Sequence, residues 1–171
     1  MPFTPFHWGL SFLIQACFLF LDPLALFIGS VIPDIEGITA NFIFPELNLP
    51  LHGPFHSFLG AFLLGIPVGV GSWICFTYLI PFIIDSFHIK ISFSLPTFSL
   101  KCSLISSFIG TFSHIILDAF IYEDMNSWYP LTSVDNILLY AFDSSAIYAF
   151  CILCFIAGIL IFSIRMLLYK K

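Results

Sequence analysis

The chain has 171 residues, of which 60% are hydrophobic, 19% aromatic and only 9% charged, with a formal net charge of −5 and a mean hydropathy of +1.06. Five Lys and Arg with ten Asp and Glu cannot clothe a core that includes 23 Phe, which excludes a soluble enzyme. A net acidic chain whose basic residues cluster only at Lys170 and Lys171 is not a nucleic-acid binder either.

The first elements are short. Phe6 to Leu21 and Pro23 to Ile32 are apolar, but as helices they reach only roughly 24 Å and 15 Å, against about 30 Å of hydrocarbon. They read as a helical hairpin that dips into the bilayer, with a break at Asp22-Pro23 that must be buried by protein or reached by water. No Lys or Arg precedes Lys90, so this start lacks the basic region of a secretory signal and reads as retained structure. Three stretches long enough to cross follow, from about Pro54 to Ile84 with breaks expected at Pro67 and Pro81, from about Cys102 to Tyr122, and from Ser144 to Leu168. Gly65, Gly69 and Gly71 put small residues on one helix face, which favours close packing. The expected fold is an all-α integral membrane protein of about three full transmembrane helices plus the N-terminal hairpin, a small bundle forming one domain over residues 1–171. Cys17, Cys75, Cys102, Cys151 and Cys154 lie in or beside apolar segments and read as packing residues. Cys151 and Cys154 have redox spacing but no neighbouring charge to activate a thiol.

Arg165, Lys170 and Lys171 end the chain and Lys90 and Lys101 flank one loop, so the C-terminus and that loop are expected on the cytoplasmic side of a plasma or inner membrane. Ionisable residues at a membrane are functional candidates because each is costly unless paired, solvated or bound to metal. His7 opens the first helix, Asp34 and Glu36 close the second, His52 and His56 open the third, and His114 and Asp118 sit near the end of the fourth. All of them are expected at the extracytoplasmic end; His88 alone among the histidines is not. His114 and Asp118, at i and i+4, share a helix face and can grip one ion. His52 and His56 share that spacing, although Gly53 and Pro54 stand between them. Imidazoles mixed with carboxylates suit Zn²⁺, or Mn²⁺ as the next choice. The expected metal ligands are His7, Asp34, His56, His114 and Asp118, with His52 and Glu36 in reserve, enough for one or two ions. Glu123, Asp124, Asp135 and Asp143 read as a solvated rim, and Ser57 as a helix cap or a hydrogen-bond donor beside the site.

The same residues carry a family resemblance. Met1-Pro2-Phe3-Thr4 with His7, Gly-Ser-x-x-Pro-Asp-x-Glu over 29–36, His56-Ser57, Gly110-x-x-Ser113-His114-x-x-x-Asp118 and Tyr129-Pro130 together resemble the YdjM-like family of predicted membrane-bound metal-dependent hydrolases, itself distantly similar to zinc-dependent phospholipase C. The resemblance spans about residues 1 to 131. It implies His7, Asp34, His56, His114 and Asp118 as metal ligands; relatives space the second His before the His-Ser pair one residue wider than His52, and none of the later His-x-x-x-Glu pair of the soluble enzymes follows Asp118. The expected function is hydrolysis of a phosphoester, with a lipid phosphoester as the natural substrate and Asp34, Glu36 and Asp118 as the catalytic carboxylates. Two other classes compete: a protein that binds or transports a metal, and a structural membrane protein whose polar residues only organise helices.

Overall fold

The computed structural model describes residues 5–47, 51–90, 95–131 and 142–169, and all regular structure within them is helical. The main helical segments are α1 (Pro5–Cys17), α2 (Pro23–Gly29), α3 (Ile32–Ile43), α4 (Phe58–Ser86), α5 (Leu100–Ala119) and α6 (Ser144–Tyr169). Three of them, α4, α5 and α6, are long and apolar enough to cross a membrane, and α2 with α3 passes the same test only as a pair bent by 41°. The motif residues Met1 to Thr4, Asp135 and the terminal Lys170 and Lys171 lie outside the described residues.

Start signals act where hydroxyls and carboxylates stand before apolar runs. Ser57 Oγ accepts from the Gly60 amide at 3.0 Å and opens α4, Ser99 Oγ does the same for Cys102 at 3.2 Å and opens α5, and Asp22 Oδ1 accepts from Ala25 at 3.1 Å to open α2. Proline interrupts less than expected in one place and more in another. The run from Phe58 is continuous to Ser86: Pro67 sits inside regular α-turns, and ahead of Pro81 the helix widens into a π-turn over Cys75–Leu79, with the Ile80 amide donating to Cys75 O. By contrast α2 ends at Gly29. Pro33 has no N–H to offer the carbonyl four residues back, so the ladder stops and resumes in a new direction. Asp34 and Glu36 therefore stand on α3, beyond the bend, and not at the close of the second helix.

The two arms of the N-terminal hairpin are held by different spans. α1 lies chiefly along α6, and α2 chiefly along α5, which also packs against α4. Glycine permits the α2–α5 approach: a Cβ on Gly110 would fall 2.4 Å from Leu26 O, and one on Gly29 2.6 Å from Ser107 O. Gly65 and Gly69 likewise face α5, against Phe108 and Leu104, but a Cβ on Gly71 would meet nothing within 4 Å. Two residues turn a helix through about 200°, so Gly71 is off the packing face.

The Asp22-Pro23 break is buried by protein. Asp22 is fully inaccessible; its Oδ2 accepts from Ser72 on α4 and Ser103 on α5, and its amide donates to Ser106 Oγ at 2.9 Å. One carboxylate thus ties the hairpin to two spans. Asp22→Ala orphans two buried hydroxyls and removes the α2 cap, and it is expected to lower stability by about 2–4 kcal/mol, read as thermal unfolding in detergent. A variant that unfolds at the parent temperature would show that the network carries no stability.

Candidate metal centre

The helices bring their polar ends to one place. His7 comes from the first turns of α1, Asp34 from α3, His56 from the 3₁₀ turn Pro54–His56 ahead of α4, and His114 and Asp118 from the last turns of α5. Asp34, His56, His114 and Asp118 are all buried, and one ligand atom from each lies within 4.8 Å of every other. His114 Nε2 stands 3.1 Å from Asp118 Oδ2 and 3.6 Å from Asp34 Oδ1; His56 Nε2 stands 3.8 Å from Asp34 Oδ1 and 3.9 Å from Asp118 Oδ2. Four atoms about 2.0 Å from a shared ion sit roughly 3.3 Å apart at tetrahedral angles. The group is thus close to a coordination cage.

The outer nitrogens are committed elsewhere, which fixes the inner ones. His114 Nδ1 donates to Ser30 O at 2.8 Å, and His56 Nδ1 to Glu36 Oε2 at 3.0 Å. In the neutral imidazole, with its one proton on Nδ1, each Nε2 carries a lone pair toward the centre, the usual orientation of a metal-binding imidazole. Both Nε2 atoms are buried and make no hydrogen bond, a costly state that a bound cation relieves. The donor set therefore fits a divalent metal ion, and the residues that can hold it are Asp34, His56, His114 and Asp118.

Charge makes the same demand. Lys90 follows the end of α4, Lys101 lies in the first turn of α5, and Arg165, in the last turns of α6, donates to Cys17 O at 3.1 Å. These are at the opposite end of the bundle, so Asp34, Glu36 and Asp118 face imidazoles and no Lys or Arg among the described residues. Burial disfavours a charged His56, but the Asp34, Glu36 and Asp118 carboxylates outweigh it and push the imidazole up to about 9. The cluster calls for positive charge, from a proton or from an ion.

The other expected residues take distinct places. His7 Nε2 lies 3.2 Å from the second oxygen of Asp118, and its ring stacks on His114 with centroids 4.0 Å apart. Glu36 is engaged with His56 and orients it. His52 precedes the helical turns, so it does not share a helix face with His56; its ring is perpendicular to His56 at 4.9 Å and stacks on Tyr122 at 4.0 Å, while Nδ1 meets both Asp124 oxygens at 2.9 Å. His52 is thus turned from the four-residue group, and Asp124, expected as rim, is its partner. Sequence reasoning missed the Ser30 carbonyl, which no side chain advertises, and the His56–Glu36 contact, whose only trace was a second acid two residues after Asp34.

Comparison with protein-family models, with curated proteins and with solved structures finds no match to the chain. The likeness to the YdjM-like family rests on the short motifs alone.

Glu36→Gln keeps a hydrogen-bond acceptor for His56 but removes the charge, and is expected to weaken metal affinity about 10–100-fold in a competition titration with a chelator; unchanged affinity would remove Glu36 from the centre. For metal-free protein the raised His56 pKa fixes a sign. The folded value lies above the ordinary 6.5, so the contribution, at most about 3 kcal/mol, is full below about pH 6.5 and lost as pH rises through about 9. Chelated protein should therefore unfold more easily at about pH 9.5 than at about pH 6.5, and added metal should stabilise most at the higher pH, where no proton must be displaced.

Proposed function

We propose that this protein is a membrane-bound metal-dependent hydrolase that cleaves a phosphoester, with a lipid phosphoester as the natural substrate. The observation that carries the reading is the buried Asp34, His56, His114 and Asp118 group with its two unsatisfied imidazole nitrogens, at one end of a bundle otherwise poor in charge. Two imidazoles with two carboxylates suit Zn²⁺, with Mn²⁺ as the alternative. When bound, such an ion lowers the pKa of a water toward neutrality and draws charge from a phosphoryl oxygen.

The chain's own residues divide the remaining work. His56, His114 and Asp118 are the most deeply buried of the group and hold position. Asp34 keeps 8% exposure, the most of the four; its carboxylate accepts the proton of the attacking water as the new P–O bond forms and returns it to the departing alkoxide oxygen as the ester P–O bond breaks, releasing the alcohol. Glu36 and His7 are positioning residues, acting through His56 and Asp118. His7 also supplies the additional nitrogen that a second ion would need. The basic residues at the far end support an orientation with the C-terminus cytoplasmic and the centre at the extracytoplasmic face, level with lipid headgroups.

One observation favours a second reading. Four protein ligands complete a tetrahedral ion, as in sites that hold metal for structure, whereas hydrolytic centres keep a position open. A metal-holding protein without catalysis predicts stoichiometric metal and no turnover. Metal-loaded protein is expected to hydrolyse members of a phosphoester panel, and Asp118→Ala to lose about a hundredfold or more in rate while its helical circular dichroism persists. Metal bound without hydrolysis of any phosphoester would leave the second reading; protein without stoichiometric metal would end both.

A further inference from the structure

An apolar cavity of about 510 Å³, within the range of small-molecule sites, lies against α5 on a face about 100° around the helix from His114 and Asp118. Its walls come from three helices, with Leu10 on α1, Ser113 and Leu117 on α5, and Ala146, Ile147 and Phe150 on α6. The wall residues interleave with the metal group along the chain. Leu10 is one turn from His7, Ser113 precedes His114, and Leu117 lies between His114 and Asp118. On α5 the cavity extends from Ser113 to Phe120, about 10 Å of helix at the same depth as the ligands. Leu117 and Ile147 form a buried floor, while Ala146 and Phe150 are exposed on a helix long and apolar enough to cross a membrane. The cavity is therefore a recess in the bilayer-facing side of the bundle, open to hydrocarbon and level with the polar centre. Apart from Ser113 the lining offers no side-chain hydrogen-bonding group and no charge, so a polar or ionic ligand would lose its hydration without replacement.

We propose that this recess binds one acyl or alkyl chain of the lipid whose phosphoester meets the metal group. The proposal deepens the hydrolase reading and rests on it for the identity of the head, but chain binding itself is measured without turnover. The floor supplies contact area for methylenes, and the shared helices set the distance between chain and phosphate. A substrate held by both parts is oriented before reaction, and that orientation accounts for specificity in a site with no Lys or Arg to grip a phosphate among the described residues.

The experiment uses detergent-purified full-length protein loaded with zinc and a phosphatidic acid carrying a photoactivatable diazirine in its acyl chain. Labelled peptides are expected to fall within residues 113–120 and 142–150. Ala146→Trp fills the mouth from an exposed position and should reduce that labelling about tenfold. Ile164→Trp, exposed near the far end of α6, should leave it unchanged and shows that a surface Trp is tolerated. Ile116→Trp, from the α5 wall, repeats the test should Ala146→Trp fail to fold. Labelling spread along the apolar surface and indifferent to both wall variants would overturn the proposal. Localised labelling in a protein that cleaves no phosphoester would uphold the chain site and defeat the hydrolase reading alone.

Discussion

Carboxylates inside an apolar bundle must be met by donors or by cations, and this chain has almost no cations to spend. Two solutions coexist. Asp22 is surrounded by serine hydroxyls and a backbone amide and capped onto its own helix, so its charge is dispersed over neutral donors and its role is to fasten the hairpin. Asp34 and Asp118 instead face imidazole Nε2 atoms that are buried and make no hydrogen bond. The first arrangement is complete as it stands, while the second lacks a positive charge at its centre. That difference separates a structural carboxylate from one able to ligate a metal.

The N-terminal hairpin gives the second arrangement its shape. Its arms, Pro5–Cys17 and Pro23–Gly29, are short, and each leans on a different span. What it contributes at the polar end is His7 from the start of α1 and the Ser30 carbonyl from the end of α2, and the chain past the bend at Pro33 adds the Asp34 and Glu36 carboxylates. The long helices contribute His114 and Asp118, and the turn before α4 contributes His56. Each imidazole of the cage is thus clamped by the hairpin, through Ser30 in one case and Glu36 in the other. A metal bound here would couple the hairpin to the spans, and Asp22 makes the same coupling at the other end of α2. The hairpin arms are held from both ends, which suits a centre that must keep its geometry while lipid moves around it.

Much of the architecture was legible because its causes are local. Apolar runs of about 20 residues announce spans, and Ser57 announces a helix start, whereas the Ser99 cap that opens α5 appears only in the structure. Scarcity of charge also made the site conspicuous, and His7, Asp34, His56, His114 and Asp118 do collect at one end. Backbone geometry hid the rest. His52 and His56 have the spacing of a helix face, but Gly53 and Pro54 delay the helix until Phe58, and His52 turns to Asp124. Pro81 was read as a break, yet a π-turn absorbs it. Gly71 was counted with Gly65 and Gly69, although helix rotation carries it away from the interface.

The amino-acid sequence by itself determined the membrane class, the three spans, the short first helices and the roster of residues able to bind metal, because hydrophobicity, length and side-chain chemistry are properties of residues in order. Only the tertiary structure decided which of those residues share a centre. That depends on the bend at Pro33, the turn before α4 and the glycine-permitted approach of α2 to α5, which set distances of a few ångströms between groups as many as 84 residues apart. A ligand cage closes or fails over less than the width of one atom, and no periodicity along the chain carries information at that scale.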